Sequence, residues 1–170
     1  KVIPCYYKKD YPEWSDRGDG PGAPVAVHLP NSPVIATGKR DGSKIRLPNG
    51  NYLEETASYY VMIETKTGGY TPALITMKST QLNVSKKWNS MMKTIQIPDG
   101  KGGFAIPPMH GVVYNLASTL QKNDKGSWYG WVVTQDRIMG QDDKTLYLSA
   151  KDFAGNVSKG SVQTKADVEE

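Results

Sequence analysis

The spacing of apolar side chains along the chain predicts a structure dominated by β-strands. Short runs rich in β-branched and aromatic residues alternate with clusters of glycine, proline, asparagine and aspartate, as in strands joined by turns. Asn49 and Gly50 predict a hairpin, because an Asn-Gly pair favours a tight turn between antiparallel strands. The predicted strands lie at residues 25–29, 33–37, 45–47, 52–65, 70–77, 112–120, 127–134 and 145–150.

One segment has the period of a helix instead. Between residues 80 and 95, apolar residues recur at intervals of three and four, so they share one helical face: Val84, Trp88, Met91, Met92 and Ile95. We expect this face to be buried, with Trp88 in the core. Ser79 or Thr80 is the expected N-cap, because a hydroxyl oxygen there can accept a hydrogen bond from a free backbone N–H.

The order of these elements favours a mainly β fold with one helix. We predict an OB-like Greek-key barrel of about 5–7 strands, with the amphipathic helix at about 80–95 inserted between strands. At 170 residues the chain is long enough for one domain with a sizeable core. We expect an irregular N-terminal arm at 1–24, where glycine and proline become dense, then a single barrel domain at 25–160 and a polar tail at 161–170.

The charge is unevenly distributed. The net charge is +4, and between Thr65 and Pro98 the chain has five lysines and no carboxylate. Such a window creates a field that attracts a polyanion, although a solvated lysine-rich surface has the same composition. No apolar run approaches the roughly 18 residues of a membrane helix, which predicts a soluble protein with no membrane partner.

The residue types that carry catalysis and metal binding are scarce. Cys5 is the only cysteine, so it has no intramolecular disulfide partner, and His28 and His110 lack the spacing of metal ligands. The sequence has no phosphate-binding loop, dinucleotide fingerprint or nucleophile elbow. Glu54 and Glu55 are adjacent, so on a strand they point to opposite faces. We therefore predict a protein that is not an enzyme and has no cofactor and no metal.

The most distinctive segment is an aromatic strand that follows a turn. Residues 123–126, Asn-Asp-Lys-Gly, have the composition of a turn, and Trp128, Tyr129 and Trp131 follow at once. Alternation places Trp128 beside the bare Gly130 on one face, where it is the better candidate for a base contact. Tyr129 and Trp131 share the other face, which we expect to be core. Stacking on an aromatic ring contributes about 1–3 kcal/mol per base and tolerates any sequence.

Two stretches carry a family resemblance. The run of residues 72–82 with the lysine-rich start of the predicted helix at 86–91, and the run of residues 123–131, resemble phage-encoded single-stranded DNA-binding proteins of the OB-fold type. The resemblance covers about residues 45–135. It implies a bacteriophage accessory of DNA replication or recombination that acts in the host cytoplasm. Such proteins end in an acidic tail that recruits partner enzymes, and here the end is only weakly acidic, with Asp167, Glu169 and Glu170.

The leading hypothesis is therefore non-sequence-specific binding of single-stranded DNA, with RNA left open as the nucleic acid. Replication proteins are the other expected partners, and a homo-oligomer is compatible with the sequence. The predicted base-stacking residues are Trp128, Tyr129, Trp131 and one of Tyr59 and Tyr60, of which one is expected in the core and the other exposed. The predicted phosphate contacts are Lys78, Lys86, Lys87, Lys125, Arg40, Lys44 and Arg46. The alternative hypothesis is a phage virion structural or assembly protein, whose aromatic side chains are buried in a subunit interface.

Overall fold

A long N-terminal strand organises the sheet. The computed structural model describes residues 1–16, 22–124 and 126–162. In these residues the strands are β1 (Val2–Trp14), β2 (Ala26–His28), β3 (Lys39–Asp41), β4 (Lys44–Arg46), β5 (Tyr52–Glu54), β6 (Thr56–Glu64), β7 (Tyr70–Lys78), β8 (Ile97–Pro98), β9 (Phe104–Ala105), β10 (Val112–Asn123) and β11 (Gly126–Ile138). The helices are α1 (Pro33–Thr37), α2 (Leu82–Thr94) and α3 (Lys144–Ser158).

The main sheet is antiparallel and curls into a half-barrel. β1 pairs with β10 on one side and with β6 on the other, β11 lies outside β10, and β7 lies outside β6. The register between β1 and β6 shifts between Pro4 and Tyr6, and such a bulge bends a strand and increases its twist. This mainly β architecture, with a curled sheet and helices, confirms the predicted fold class and is consistent with an OB-like barrel.

The far end of β1 carries a smaller extension of the sheet. β2 pairs with β1 on one side, while β5, β4 and β3 follow on the other. β5 and β6 pair with β1 in the same register, as the pairs Glu13–Leu53 and Asp10–Thr56 show. The two strands therefore lie end to end along β1 and are separated only at Glu55. The predicted strand at 52–65 is therefore two strands.

The predicted Asn-Gly hairpin is confirmed between β4 and β5. The backbone N–H of Asn51 donates to Asn49 Oδ1 at 3.0 Å. Gly50 has a φ of 89°, in the left-handed region that glycine tolerates and most side chains do not. The turn therefore depends on these residue types.

The helix α2 fills the inner face of the half-barrel, as the periodicity predicts. Trp88 is fully buried, and its ring stacks on Tyr59 with centroids 4.4 Å apart and meets Tyr114 edge-on at 5.6 Å. The expected N-cap is wrong: Ser79 and Thr80 lie in a 3-10 turn, and Ser79 has a φ of 52°. The N-cap position is Gln81, and it makes no side-chain capping bond.

The helix α3 packs on the outer face of the sheet and corrects a prediction. Residues 145–150 were expected to form a strand, but they open this helix. Ala150 is buried against Ile3, Met62 and Val113, because the helical spacing carries Ala150 and Phe153 onto one face. The predicted strand at 33–37 is also wrong, since this segment is α1 with Pro33 at its start. No helix in the described part of the chain is long and apolar enough to cross a membrane.

The expected irregular arm at 1–24 is wrong for its first half, because Val2–Trp14 is the strand at the centre of the sheet. Its charged residues are paired locally or across strands: Lys8 Nζ lies 3.2 Å from Asp10 Oδ2, and Lys9 Nζ lies 2.7 Å from Glu55 Oε1. Residues 17–21 of the expected arm and 163–170 of the expected tail lie outside the described residues.

Candidate functional site

The two tyrosines of β6 are both buried, so the expectation that one is exposed is wrong. The Tyr59 hydroxyl lies 2.7 Å from Ser85 Oγ and 3.1 Å from Asn89 Oδ1, both on α2. Burial raises the pKa of Tyr59 far above its usual range. Tyr60 meets Tyr6 edge-on at 6.1 Å. Tyr59 stacks on Trp88 of α2, and both tyrosine side chains are buried, so neither ring presents an open face to a base.

The hairpin formed by β10 and β11 divides the predicted aromatic face into two parts. Trp131 and Val133 pack against the inner core, which confirms the prediction for these two residues. Tyr129 points to the same side of the strand, yet it is 73% exposed, so its assignment to the core is wrong. The reason is that the hairpin continues beyond the core, and Leu120, directly opposite Tyr129, is itself 63% exposed.

The other face of the hairpin is more closed than predicted. Trp128 is half-buried, and its indole Nε1 is buried without a hydrogen-bond partner in the described part of the chain. Gly130 is buried under two glutamine side chains, because a Cβ there would collide with Gln121 and lie 2.7 Å from Gln81 Nε2. Tyr129, rather than Trp128, is therefore the aromatic ring that this hairpin presents to solvent.

Gln81 connects the two ends of the curled sheet. It follows β7 by three residues, and its Oε1 accepts a hydrogen bond from the Trp131 backbone N–H at 2.8 Å. The start of α2 therefore lies against β11, at the open edge of the sheet. This contact fixes the position from which the exposed hairpin end projects.

The predicted phosphate-binding residues lie in two separate regions. Lys86 and Lys87 are exposed on α2, a helix that has no acidic side chain. Arg40 is exposed on the short strand β3. Lys125 lies outside the described residues. Lys78 is held by a carboxylate, because its Nζ lies 2.8 Å from Glu54 Oε2.

Lys44 and Arg46 share one face of the sheet with Lys78 through the strand register. Directly paired residues point to the same face of a sheet. Arg46 is paired with Tyr52, and Tyr52 with Trp14. Lys44 is paired with Glu54, the residue whose carboxylate binds Lys78. Lys44 Nζ lies 3.6 Å from the centroid of the Tyr52 ring.

This outer face has little unbalanced positive charge. Arg46 forms ion pairs with Asp16 and Asp41, whose hydrogen bonds raise the pKa of its guanidinium. Trp14 and Tyr52 were not predicted as site residues. Residues 6–14 do not alternate apolar and polar side chains, so the sequence has no periodic signal that places Trp14 on a sheet face.

Among the described residues, the large apolar side chains that are more than half exposed lie in three places on or beside β-strands. On the edge strand β2 and its flanks, Val25, Val27 and Leu29 are exposed at alternate positions, as expected for one face of a strand. At β9, Phe104 is 70% and Ile106 is 58% exposed. The third place is the pair formed by Leu120 and Tyr129 on the hairpin.

A cavity of about 180 Å³ opens beside the end of α2. Its walls are mostly apolar and are formed by Met92, Pro107, Pro108, Met109 and Val112. Polar groups come from Tyr7, Asn89, Lys93 and Tyr114. The Tyr114 hydroxyl is buried and has no hydrogen-bond partner among the described residues, and burial raises its pKa to about 12, so it stays protonated and able to donate.

Comparison with known proteins identifies a family. The family described as Pam3 phage gp34-like protein matches residues 1–163, which is nearly the whole chain. No curated protein and no solved structure matches the chain. Within the part that the structure describes, no group of three or more histidine, cysteine, aspartate or glutamate residues is arranged to hold a metal ion.

Proposed function

Because the chain belongs to the Pam3 phage gp34-like protein family, we propose that it is a structural or assembly protein of the phage particle. In this role its surface binds neighbouring proteins, and its fold serves as a rigid module. This proposal corresponds to the alternative hypothesis of the sequence analysis, in which single-stranded DNA binding was the leading one.

The observation that carries the proposal is the exposure of apolar side chains at the hairpin formed by β10 and β11. Single exposed apolar residues are normal, whereas a contiguous exposed apolar patch is often an interaction site. Leu120 and Tyr129 are directly opposite each other and both mostly exposed. The two strands that carry them are paired from Val112 and Ile138 to Asn123 and Gly126, with one register shift next to Tyr114.

The placement of the other aromatic rings favours protein binding over base stacking. A stacking platform requires several accessible ring faces along one groove. Tyr59 and Tyr60 are buried, and Trp131 packs on the core. Tyr129 is left as the exposed member of the predicted set, and one ring with an apolar neighbour suits a protein interface, where tyrosine is enriched.

The test is the composition of purified phage particles. We expect mass spectrometry of gradient-purified virions to detect the protein in a fixed ratio to the major coat protein. A high-salt wash that removes adsorbed proteins serves as the control and leaves this ratio unchanged. Presence in infected-cell lysate with absence from washed particles would contradict a structural role, and transient presence in immature particles would assign it to assembly.

Single-stranded DNA binding is the second candidate, favoured by the charge of α2. Lys86, Lys87 and Lys93 are exposed on this helix, whose side chains include no carboxylate. Because Gln81 holds the start of α2 against β11, Lys86 and Lys87 lie within about two helical turns of the hairpin. Each phosphate neutralised by a lysine would add salt-dependent affinity.

A charge reversal with a matched control tests this candidate. We expect a labelled oligo-dT to bind the wild type more weakly as salt rises, and to bind the double variant Lys86→Glu, Lys87→Glu much more weakly. The control reverses two exposed lysines of α3, Lys144→Glu and Lys151→Glu, and leaves the net charge change the same. Equal losses in both variants would indicate a general charge effect, and no binding at low salt would exclude this function.

A further inference from the structure

We propose that copies of this chain join head to tail, with the Tyr129 side chain of one copy inserted into the cavity beside α2 of the next copy. The inference rests on the proposed assembly function and names its partner, a second copy of the same chain. It joins two features of the surface that otherwise have no explanation, the exposed hairpin end and the cavity beside α2.

The hairpin end has the properties of an inserted side chain. Tyr129 is 73% exposed at the start of β11, on a strand that is paired with β10 along its whole length. Tyrosine offers a large contact area with few rotatable bonds, so burying it in a partner costs little conformational entropy. Tyrosine is also enriched among the residues that dominate binding energy at interfaces.

The cavity has a matching size. Its volume is about 180 Å³, and an apolar cavity of about 150 Å³ is known to take up benzene. The volume of the cavity, lined by Met92, Met109 and Val112, is therefore large enough for a phenol ring.

The polar groups of the cavity match the hydroxyl of an incoming tyrosine. The Tyr114 hydroxyl is buried without a partner in the described part of the chain. The carbonyl oxygen of Asn89 already lies 3.1 Å from the Tyr59 hydroxyl, which leaves the Asn89 amide N–H groups as donors. A buried hydroxyl without a partner is unfavourable, so an incoming phenol that accepts from Tyr114 removes that cost.

The surroundings of the two features are complementary as well. Phe104 and Ile106 are exposed just before Pro107 and Pro108, which line the cavity. They extend the apolar wall outward, where Leu120 of the incoming hairpin would lie next to Tyr129. Four exposed apolar side chains would thus be covered by a single contact.

The hairpin end and the cavity lie at different places on the chain. The hairpin meets the start of α2 through Gln81, and the cavity lies near its end at Met92 and Lys93. These points are separated by about 18 Å along the helix, so the two contact surfaces are different patches of the chain. A head-to-tail contact leaves a free hairpin end and a free cavity in every dimer, and it therefore builds a ring or a filament, whereas a reciprocal exchange of hairpins would close as a dimer.

Mixing two complementary variants tests this directly. Tyr129→Ala removes the inserted ring, and Met109→Trp fills the cavity. By light scattering coupled to size exclusion, we expect the wild type to form larger assemblies as its concentration rises and each variant alone to stay monomeric. An equimolar mixture is expected to give a dimer and nothing larger, because one intact hairpin meets one intact cavity. Leu148→Ala, which truncates an exposed leucine of α3, is the matched control and should assemble like the wild type.

A conservative variant keeps the test decisive where Met109→Trp disturbs folding. Tyr114→Phe removes only the unpartnered hydroxyl, and we expect it to weaken assembly about three- to tenfold, as for the loss of one neutral hydrogen bond. The inference is overturned if the wild type stays monomeric at every concentration, if Tyr129→Ala assembles normally, or if the mixture gives no dimer. The proposed function fails separately, by absence of the protein from washed virions.

Discussion

Replacing Glu13 by glutamine should reveal how the two parts of the sheet are held together. The Glu13 residue is 7% exposed, and its carboxylate accepts three hydrogen bonds. The amide nitrogens of Asn51 and Asn49 donate to Oε1 at 2.6 and 3.1 Å, and His28 Nε2 donates to Oε2 at 2.7 Å. One carboxylate on β1 therefore fixes β2 and the turn between β4 and β5.

The expected decrease in the free energy of unfolding comes from the loss of the negative charge of Glu13, because glutamine has nearly the same shape. A hydrogen bond to a charged group contributes roughly 1.5–3 kcal/mol and a neutral one roughly 0.5–1.5 kcal/mol. Glutamine keeps the shape: its oxygen can accept from both asparagines, and its amide N–H can donate to His28 Nε2. All three bonds then become neutral, and each loses about 1 kcal/mol. We expect Glu13→Gln to lower the free energy of unfolding by about 2–3 kcal/mol near neutral pH.

The pH dependence gives this prediction its sign. The hydrogen bond from Asn51, then that from His28, lowers the pKa of Glu13 below its ordinary value of 4.5. A depressed pKa in the folded state stabilises the fold above the unfolded value, and this contribution is lost as pH falls through the folded value. The difference in the free energy of unfolding between the wild type and Glu13→Gln should therefore reach its full size at neutral pH and should shrink steadily below pH 4.5.

Urea unfolding followed by circular dichroism over a series of pH values measures this difference. Glu64→Gln is the control, since the Glu64 side chain is 37% exposed and lies 3.5 Å from the N-terminal ammonium, and such a surface pair contributes about 0–1 kcal/mol. A Glu13→Gln protein as stable as the wild type at neutral pH would refute the reasoning. So would a stability gap that persists unchanged in acid.

Three further predictions concern the core and the hairpin. Gly130→Ala should cost about 1–2 kcal/mol in thermal unfolding, because the methyl group displaces two packed glutamine side chains; Gly140→Ala, which has open space around it, should be neutral. Tyr59→Phe should cost about 1–2 kcal/mol in urea, since it leaves the Ser85 hydroxyl without this partner, and an unchanged midpoint would contradict the contact. Burial raises the pKa of the Cys5 thiol to about 12, so a thiol reagent should label it in urea but not in the native protein at neutral pH; rapid native labelling would argue against a buried strand.

The two long helices differ in how well local sequence predicts them. In α2 the apolar stripe runs through the whole segment, so its period is visible from either end. The first six residues of α3 contain a short apolar run, Leu146, Tyr147 and Leu148, which by itself fits a buried strand as well as a helix. Its helical period becomes visible only when Ala150, Phe153 and Val157 are read together with Leu146.

The strand β1 was missed because its partners are distant in sequence. Consecutive charges at Lys8, Lys9 and Asp10 argue against a central strand when only neighbours along the chain are considered. In the fold, Lys9 is neutralised by Glu55 of the adjacent segment, and Asp10 is covered beside Thr56. Pro12 is opposite Val27 on the short strand β2, and a proline, which has no N–H to donate, also argues against a central strand when the sequence alone is considered.

The candidate site shows the same limit of local reasoning. Alternation correctly assigns Tyr129, Trp131 and Val133 to one face of β11, but burial depends on what lies beneath each position. Trp131 and Val133 meet α2 and the core, whereas the hairpin has passed beyond the core at Tyr129. The exposed ring is therefore the one that periodicity assigned to the interior.

Tyr129 is common to both proposed functions, and the lysines of α2 separate them. The affinity of a tyrosine inserted into an apolar cavity depends on the contact area and is insensitive to salt, because no charge is neutralised. A ring stacked on a base beside Lys86 and Lys87 acts together with counterion release, so its effect appears only where the lysines also act. If the protein assembles through the cavity, truncating Tyr129 should abolish assembly whether or not Lys86 and Lys87 are reversed. If it binds single-stranded DNA, reversing the two lysines should also remove the effect of truncating Tyr129 on DNA affinity, because the tyrosine and the lysines then bind one ligand.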